Sequence, residues 1–309
     1  MRIAIVGLGD IARKAYLPIF AAMSDVEPVL CSRNGTELAR LAASYRIRQV
    51  TTDVAQLASL QIAAAFVHTA TESHEAVVRE LLRHGIHVYV DKPLAYTAAA
   101  AARMVALAES QNCRLMIGFN RRYAPMYAAL ADKPDRRLVI LQKHRRPPVD
   151  VARRVVFDDF IHVIDTLRFL APGPIDAVKV SSGIQNGALH HLLVQLDGQG
   201  FSLLGVMNRD SGITEEILEM MSPGNKWRVQ ALSQMTHAHG GVEHVTNSSD
   251  WDTVLWRRGF PQIVQHFLDC IRTNGAPHPS AQDSLATHLL CEQIVTQLEA
   301  AGATAMERC

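Results

Sequence analysis

The chain is 309 residues long, 48% hydrophobic and 20% charged, which excludes a disordered segment, a fibrous repeat and a small cross-linked scaffold. At roughly 150 residues per domain it has room for two cores. Its 31 Lys and Arg against 30 Asp and Glu leave a net charge of +1, so no bulk field draws it to nucleic acid or an anionic membrane.

The first apolar run, Ile3 to Leu8, is short, carries glycine and is followed by Asp10, Arg13 and Lys14, unlike an export signal. Cys31, Cys113, Cys270, Cys291 and Cys309 are scattered and never form a CxxC pair, as expected of reduced thiols in the cytoplasm. Thr97 to Ala108 is apolar but broken by Arg103 and shorter than the roughly 20 residues that span a bilayer, so no membrane segment is expected.

Up to residue 119, short β-branched runs alternate with Ala- and Leu-rich helical stretches. The runs are Ile3 to Val6, Pro28 to Cys31, Ala64 to Val67, His87 to Val90 and Leu115 to Ile117. Strands apolar on both faces with helical crossovers predict a parallel α/β sheet. The first strand runs into Gly7-Leu8-Gly9-Asp10-Ile11-Ala12, a GxGxxA turn opening a helix from Ile11 to about Met23. Gly7 permits the tight turn, Gly9 lets a pyrophosphate approach the backbone, and Ala12 lets helix and strand pack closely. A helix N-terminus also offers free N–H groups to phosphate, although the same turn can serve as a plain connection.

The second strand ends Cys31-Ser32-Arg33-Asn34, without the acid that binds a ribose 2′-hydroxyl. Ser32 and the guanidinium of Arg33 suit a 2′-phosphate, favouring NADP, with NAD the alternative and an ordinary polar loop the bland reading. The fourth run leads into Asp91-Lys92-Pro93, where Pro93 keeps Lys92 extended at the carboxyl end of a strand, where open α/β sheets bind ligands.

Beyond Tyr123, a helix from about Val156 to Leu170 stops at Ala171-Pro172-Gly173-Pro174. Strand-like runs follow at Asp176 to Ser182, Ala188 to Leu196, Phe201 to Asn208, Glu215 to Met221, Trp227 to Ala231 and His244 to Thr246. Successive strands without helical crossovers predict an α+β domain with a large open, mostly antiparallel sheet. Helices from about Gly259 to Thr273 and Ala281 to Ala300 close the chain. The expected domains are 1–119, a dinucleotide-binding unit, and 120–309, a substrate-binding and oligomerisation unit whose last helix can pack back on the first.

In the helix before that sheet, Phe157, Phe160, Ile161, Ile164 and Leu167 form a buried stripe, and Asp158, His162 and Asp165 share a neighbouring face. Taken alone, these three read as a solvated Asp/His network. They, or His237, His239 and His244, could ligate a cation, but no tight ligand motif accompanies them and no metal is expected.

Gly7 to Ala12, Asp91-Lys92-Pro93, Gly118-Phe119-Asn120-Arg121-Arg122 and Asp158-x-x-x-His162-x-x-Asp165, in that order, resemble the glucose-fructose oxidoreductase, inositol dehydrogenase and rhizopine-catabolism family. The resemblance spans almost the whole chain and is nearest to the family's MviM-type branch. It implies a Rossmann domain, a second domain on an open sheet, and hydride transfer between a nicotinamide and a sugar or polyol carbon. It assigns Lys92 to polarising the reacting oxygen, Asp158 to orienting the substrate or the lysine, and His162 to proton transfer, a task suited to an imidazole. It also implies that Leu8, Asp10 and Ile11 of the glycine turn, His68, Thr69 and His74 after the third run, and Lys92 itself meet the cofactor. Asn120, Arg121 and Asp165 fall at substrate-holding positions, Asp165 with a structural role as the equal alternative.

Three departures stand out. Asp91 replaces the family's Glu, Ala70-Thr71 replaces its Pro-Asn, and Arg153-Arg154-Val155-Val156 replaces a Gly-Gly before the second motif. Lys143, His144, Arg145, Arg146, Arg153 and Arg154 flank that loop and would suit an acidic or phosphorylated sugar, or be a solvated basic loop. Phe201 to Met207 is too apolar for the sheet's second face to stay wet, so a homodimer or homotetramer is expected. Two competing functions remain: a dinucleotide-binding sensor without net turnover, and a nicotinamide-assisted lyase or hydrolase.

Overall fold

The computed structural model describes residues 1–306, with side chains described through residue 300; Cys309 lies outside the described residues. Contacts divide the chain into two units. One is formed by Met1–Phe119 and Phe260–Ala286, the other by Asn120–Gly259 with the chain from Thr287 onward.

The first unit carries six parallel strands, β1 (Arg2–Val6), β2 (Glu27–Cys31), β3 (Gln49–Thr51), β4 (Ala64–Val67), β5 (His87–Val90) and β6 (Leu115–Ile117), in the order β3-β2-β1-β4-β5-β6. This is the doubly wound order, and its direction reverses between β1 and β4, where such sheets open a crevice for dinucleotides. Ile3, Ala4, Ile5, Ala64, Ala65, Phe66 and Val67 are wholly buried, as strands covered on both faces must be. β3 escapes a sequence reading because its three residues, Gln-Val-Thr, carry no apolar run.

The helix Phe260–Thr273 belongs to this first unit rather than to the second, where the sequence placed it. Its apolar stripe of Ile263, Val264, Phe267 and Leu268 is buried, with Phe267 edge-on to Phe66 at 5.5 Å. Arg114 secures the segment by donating from Nε to the Gly275 carbonyl (2.8 Å) and from Nη2 to that of Asn274 (2.9 Å).

The second unit is built on eight strands: β7 (Leu138–His144), β8 (Ala177–Gln185), β9 (Ala188–Gly198), β10 (Phe201–Asn208), β11 (Glu215–Ser222), β12 (Asn225–Gln230), β13 (Gln234–His239) and β14 (Val242–Asn247). Their order is β14-β13-β12-β11-β7-β10-β9-β8, antiparallel throughout except for the parallel pair β7 and β10. The helix Ile161–Leu170 covers one face; a Cβ on Gly205 would lie 2.8 Å from Val163 Cγ1, so β10 needs glycine there to let the helix settle. Phe201, Leu203 and Met207 point into this core, whereas Leu204 and Val206 occupy the other face and are only half-buried. No helix among the described residues is long and apolar enough to cross a membrane.

Candidate functional site

β1 delivers the chain into the glycine turn. Gly7 sits at φ +87°, and a Cβ there would lie 2.6 Å from the backbone nitrogen of Thr69, so no other residue allows β1 and the loop after β4 to approach this closely. The helix that follows opens with a π-helical turn, Ala12–Tyr16, before Leu17–Ala21. Such turns recur at functional sites.

A cavity of about 560 Å³ lies in this crevice, lined by Gly7, Gly9, Ser32, Arg33, His68 and Thr69 among others. Leu8, Asp10, Ile11 and Lys92 lie outside that lining. Both ring nitrogens of His68 and the hydroxyl of Thr69 are buried without a hydrogen-bond partner, a costly state that a polar ligand would relieve. Arg33 is exposed with no ion-pair partner among the described residues, and Asn34 caps the next helix by accepting from the Glu37 N–H (3.1 Å). Glu37 is the nearest acid on that helix, but Arg40 and Arg13 pair with it and hold its carboxyl down to about 2. A dinucleotide therefore fits these residues: Gly7 and Gly9 would pass the pyrophosphate, Ser32 and Arg33 the adenosine ribose, and His68 and Thr69 the nicotinamide half.

His68 is stacked on Tyr16 at 3.8 Å between ring centroids, and its Nδ1 lies 3.8 Å from Asp91 Oδ2, beyond hydrogen-bond range. Burial pushes the Asp91 carboxyl up, but His68 and the charge of Lys92 outweigh it and hold the group below the usual range. Asp91 Oδ1 accepts from the Lys92 N–H (2.9 Å), which orients the start of the loop after β5. Lys92 itself is half-buried, and its peptide bond to Pro93 is cis.

His74 is engaged by backbone. Expected against the cofactor, it lies outside the cavity lining, with Nδ1 2.9 Å from the Pro93 carbonyl and Nε2 3.1 Å from that of Thr69. It ties the loop after β4 to the loop that carries Lys92, and burial holds its pKa below the usual value.

In the second unit the expected continuous α-helix is interrupted. Val155–Phe160 form a π-helical turn, and regular helix begins at Ile161. Asp158 lies in the π turn and His162 in the first regular turn, both half-buried and both engaged with neighbouring groups. Asp165 has two equal readings from the sequence, substrate holding and structure. It is 1% exposed; Arg122 donates from Nε to Oδ2 (2.9 Å) and from Nη2 to Oδ1 (2.6 Å), and Thr287 adds a third bond (3.0 Å). That carboxylate is shut off from solvent and bonded on both oxygens, which favours the structural alternative over substrate holding.

Asn120 and Arg121 are likewise drawn inward. Asn120 Nδ2 donates to the Arg258 carbonyl (2.8 Å), and Arg121 forms a two-pronged pair with Glu216 (2.8 and 3.0 Å), which Tyr127 also contacts. Lys143 does not belong to a solvated loop but to β7, where it is 1% exposed. The signal was present, since Val139, Leu141 and Lys143 alternate on one face of the run. His237 stacks on Trp227 and bonds Asn225, and among the described residues no three His, Cys, Asp or Glu side chains gather to hold a metal. Cys31, Cys113, Cys270 and Cys291 are buried free thiols.

Residues 1–119 match the Gfo/Idh/MocA model, described as an oxidoreductase family with an NAD-binding Rossmann fold, and residues 125–240 match the YceM-like C-terminal domain. The chain is 32% identical to the YceM protein of Salmonella typhimurium over 95% of its own length and 97% of that protein's. It is also 32% identical to the MviM dehydrogenase of Clostridium difficile, whose crystal structure superposes with a TM-score of 0.92 over 96% of this chain and 99% of that one. Inositol 2-dehydrogenase 4 of Saccharopolyspora erythraea is 26% identical, covering 94% of this chain and 91% of that enzyme.

Proposed function

Because the chain belongs to the Gfo/Idh/MocA oxidoreductase family, in its YceM/MviM-type branch, we propose that it is an NADP-dependent oxidoreductase of a sugar, polyol or related hydroxy or keto compound. The observation that carries this reading is the crevice at the glycine turn, where the buried polar atoms of His68 and Thr69 lack hydrogen-bond partners and the lining at the end of β2, Cys31-Ser32-Arg33-Asn34, carries a guanidinium and no acid. An inositol dehydrogenase among the relatives supports a polyhydroxylated substrate.

Oxidising an alcohol removes a hydride from carbon and a proton from oxygen. A dinucleotide held by Gly7, Gly9, His68 and Thr69 would supply the hydride acceptor. His162 takes the proton, which requires it to sit within hydrogen-bond reach of that oxygen. Lys92 stabilises the negative charge that develops on the oxygen, and Asp158 orients the substrate. Asp91 and His74 act indirectly, by setting the path of the chain on either side of Lys92.

Calorimetric titration of cofactor-stripped protein is expected to show tighter binding of NADPH than of NADH. Arg33→Ala should weaken NADPH by about tenfold, the value of one charge-assisted contact, and leave NADH unchanged. Preference for NADH would overturn the choice of cofactor; binding of neither would overturn hydride transfer altogether.

The outer face of the second unit's sheet supports self-association. Leu204 lies opposite Ile140, and Val206 opposite Leu193, which is 39% exposed. A homodimer or homotetramer at micromolar concentration is the expected result by light scattering, and a monomer would refute it.

A further inference from the structure

β7 and β10 are the parallel pair of the second unit's sheet, so the residues that follow them emerge side by side. Arg145 follows β7 directly, and its backbone N–H donates to the carbonyl of Asn208, the last residue of β10. Arg209 comes next. Both guanidinium groups converge on Asp159: Arg145 binds it through two nitrogens (2.7 and 2.9 Å) and Arg209 through Nη1 (2.8 Å), while Lys143 reaches the same carboxylate at 2.7 Å. Glu216, opposite Lys143 across β7 and β11, is taken by Arg121.

Charge does not balance here. Four cations share two carboxylates, and Arg258 is a fifth, held beside the Asn120 turn through its own carbonyl and close enough to feel Arg121 and Arg145. Burial draws Lys143 down to about 7, which relieves part of the surplus and leaves the arginines, which cannot give up their protons. A buried Nε of Arg209 has no acceptor. The Arg145 side chain is 33% exposed, and Arg258 also reaches solvent, so an incoming group has access.

We propose that the exit of β7 and β10 is an oxyanion-binding subsite, and that the hydroxylated substrate of this protein carries a carboxylate or phosphate received by Arg145, Arg209 and Arg258. The planar, forked guanidinium matches both groups, and the surplus positive charge would otherwise have to be met by mobile counterions. The substrate class rests on the oxidoreductase reading above; the oxyanion subsite itself does not. Asp159 adjoins Asp158 in the π-helical turn, and His162 follows in the first turn of the helix that continues it, so the subsite lies next in sequence to the proposed catalytic residues of this unit.

The full-length protein should be titrated at low ionic strength with gluconate, glucose 6-phosphate and uncharged sorbitol, with NADPH binding measured on the same samples. At least one anion is expected to bind more than tenfold tighter than sorbitol, and which one distinguishes carboxylate from phosphate. Arg258→Gln breaks no ion pair of the cluster and should weaken that anion by about tenfold, and Arg209→Gln by at least as much, with sorbitol unaffected. Thermal melts verify that each variant is folded. Anions binding no better than sorbitol, or bound equally well by wild type and both variants, would overturn the subsite. Failure to bind NADPH alongside intact anion binding would overturn hydride transfer and leave the subsite standing.

Discussion

An Asp165→Ala variant is expected to lose about 3–5 kcal/mol of stability, because it strands a buried guanidinium. The Arg122 side chain is 4% exposed and Asp165 1%, and both carboxylate oxygens accept from the arginine. Removing one partner leaves the other charged and desolvated, without the carboxylate that faced it. Against a total of roughly 5–15 kcal/mol for a domain, such a loss lowers the denaturation midpoint steeply or abolishes soluble expression. Chemical denaturation of the single variants and of Arg122→Met/Asp165→Leu checks this. The double variant should recover much of the loss, since a paired apolar replacement leaves no buried charge behind. A stable Asp165→Ala protein with an altered KM would instead return Asp165 to the substrate.

His162→Ala should affect chemistry rather than folding. His162 is half-buried on the helix Ile161–Leu170, whose packing rests on Ile161, Ile164 and Leu167. If it moves the hydroxyl proton, its loss should lower kcat by about 10²–10⁴-fold, the usual worth of a positioned acid or base. NADPH affinity and melting temperature should stay at wild-type values. Steady-state kinetics with the first anionic polyol found to reduce NADP⁺, together with calorimetry, separate the outcomes. A loss below tenfold, or one accompanied by equal loss of cofactor binding, refutes the proton-transfer role.

Much of the cofactor half was legible without coordinates, because its signals are local. Gly7 and Gly9 sit two positions apart between a strand and a helix, and Arg33 is two residues past the end of β2. The substrate half was harder. Asp165 shares a helix face with Asp158 and His162 in any periodicity argument, but its partner Arg122 is 43 residues away, and only packing shows that the pair is sealed. The engagement of His74 with the Pro93 and Thr69 carbonyls was not legible either, since backbone groups that compete for an imidazole leave no trace in the sequence.

Sequence alone determined the doubly wound first unit and the open sheet of the second, because strand and helix periods, glycine turns and proline stops act over a few residues. It also determined the order of the family motifs, and hence the candidate cofactor and catalytic residues. Tertiary structure decided that β7 pairs parallel with β10, that Phe260–Ala286 belongs with the first unit, and that Lys143, Arg121 and Arg122 are buried cations. The physical reason is common to all three. Strand pairing, helix docking and charge burial depend on partners tens to hundreds of residues apart, whose free energies no local window contains.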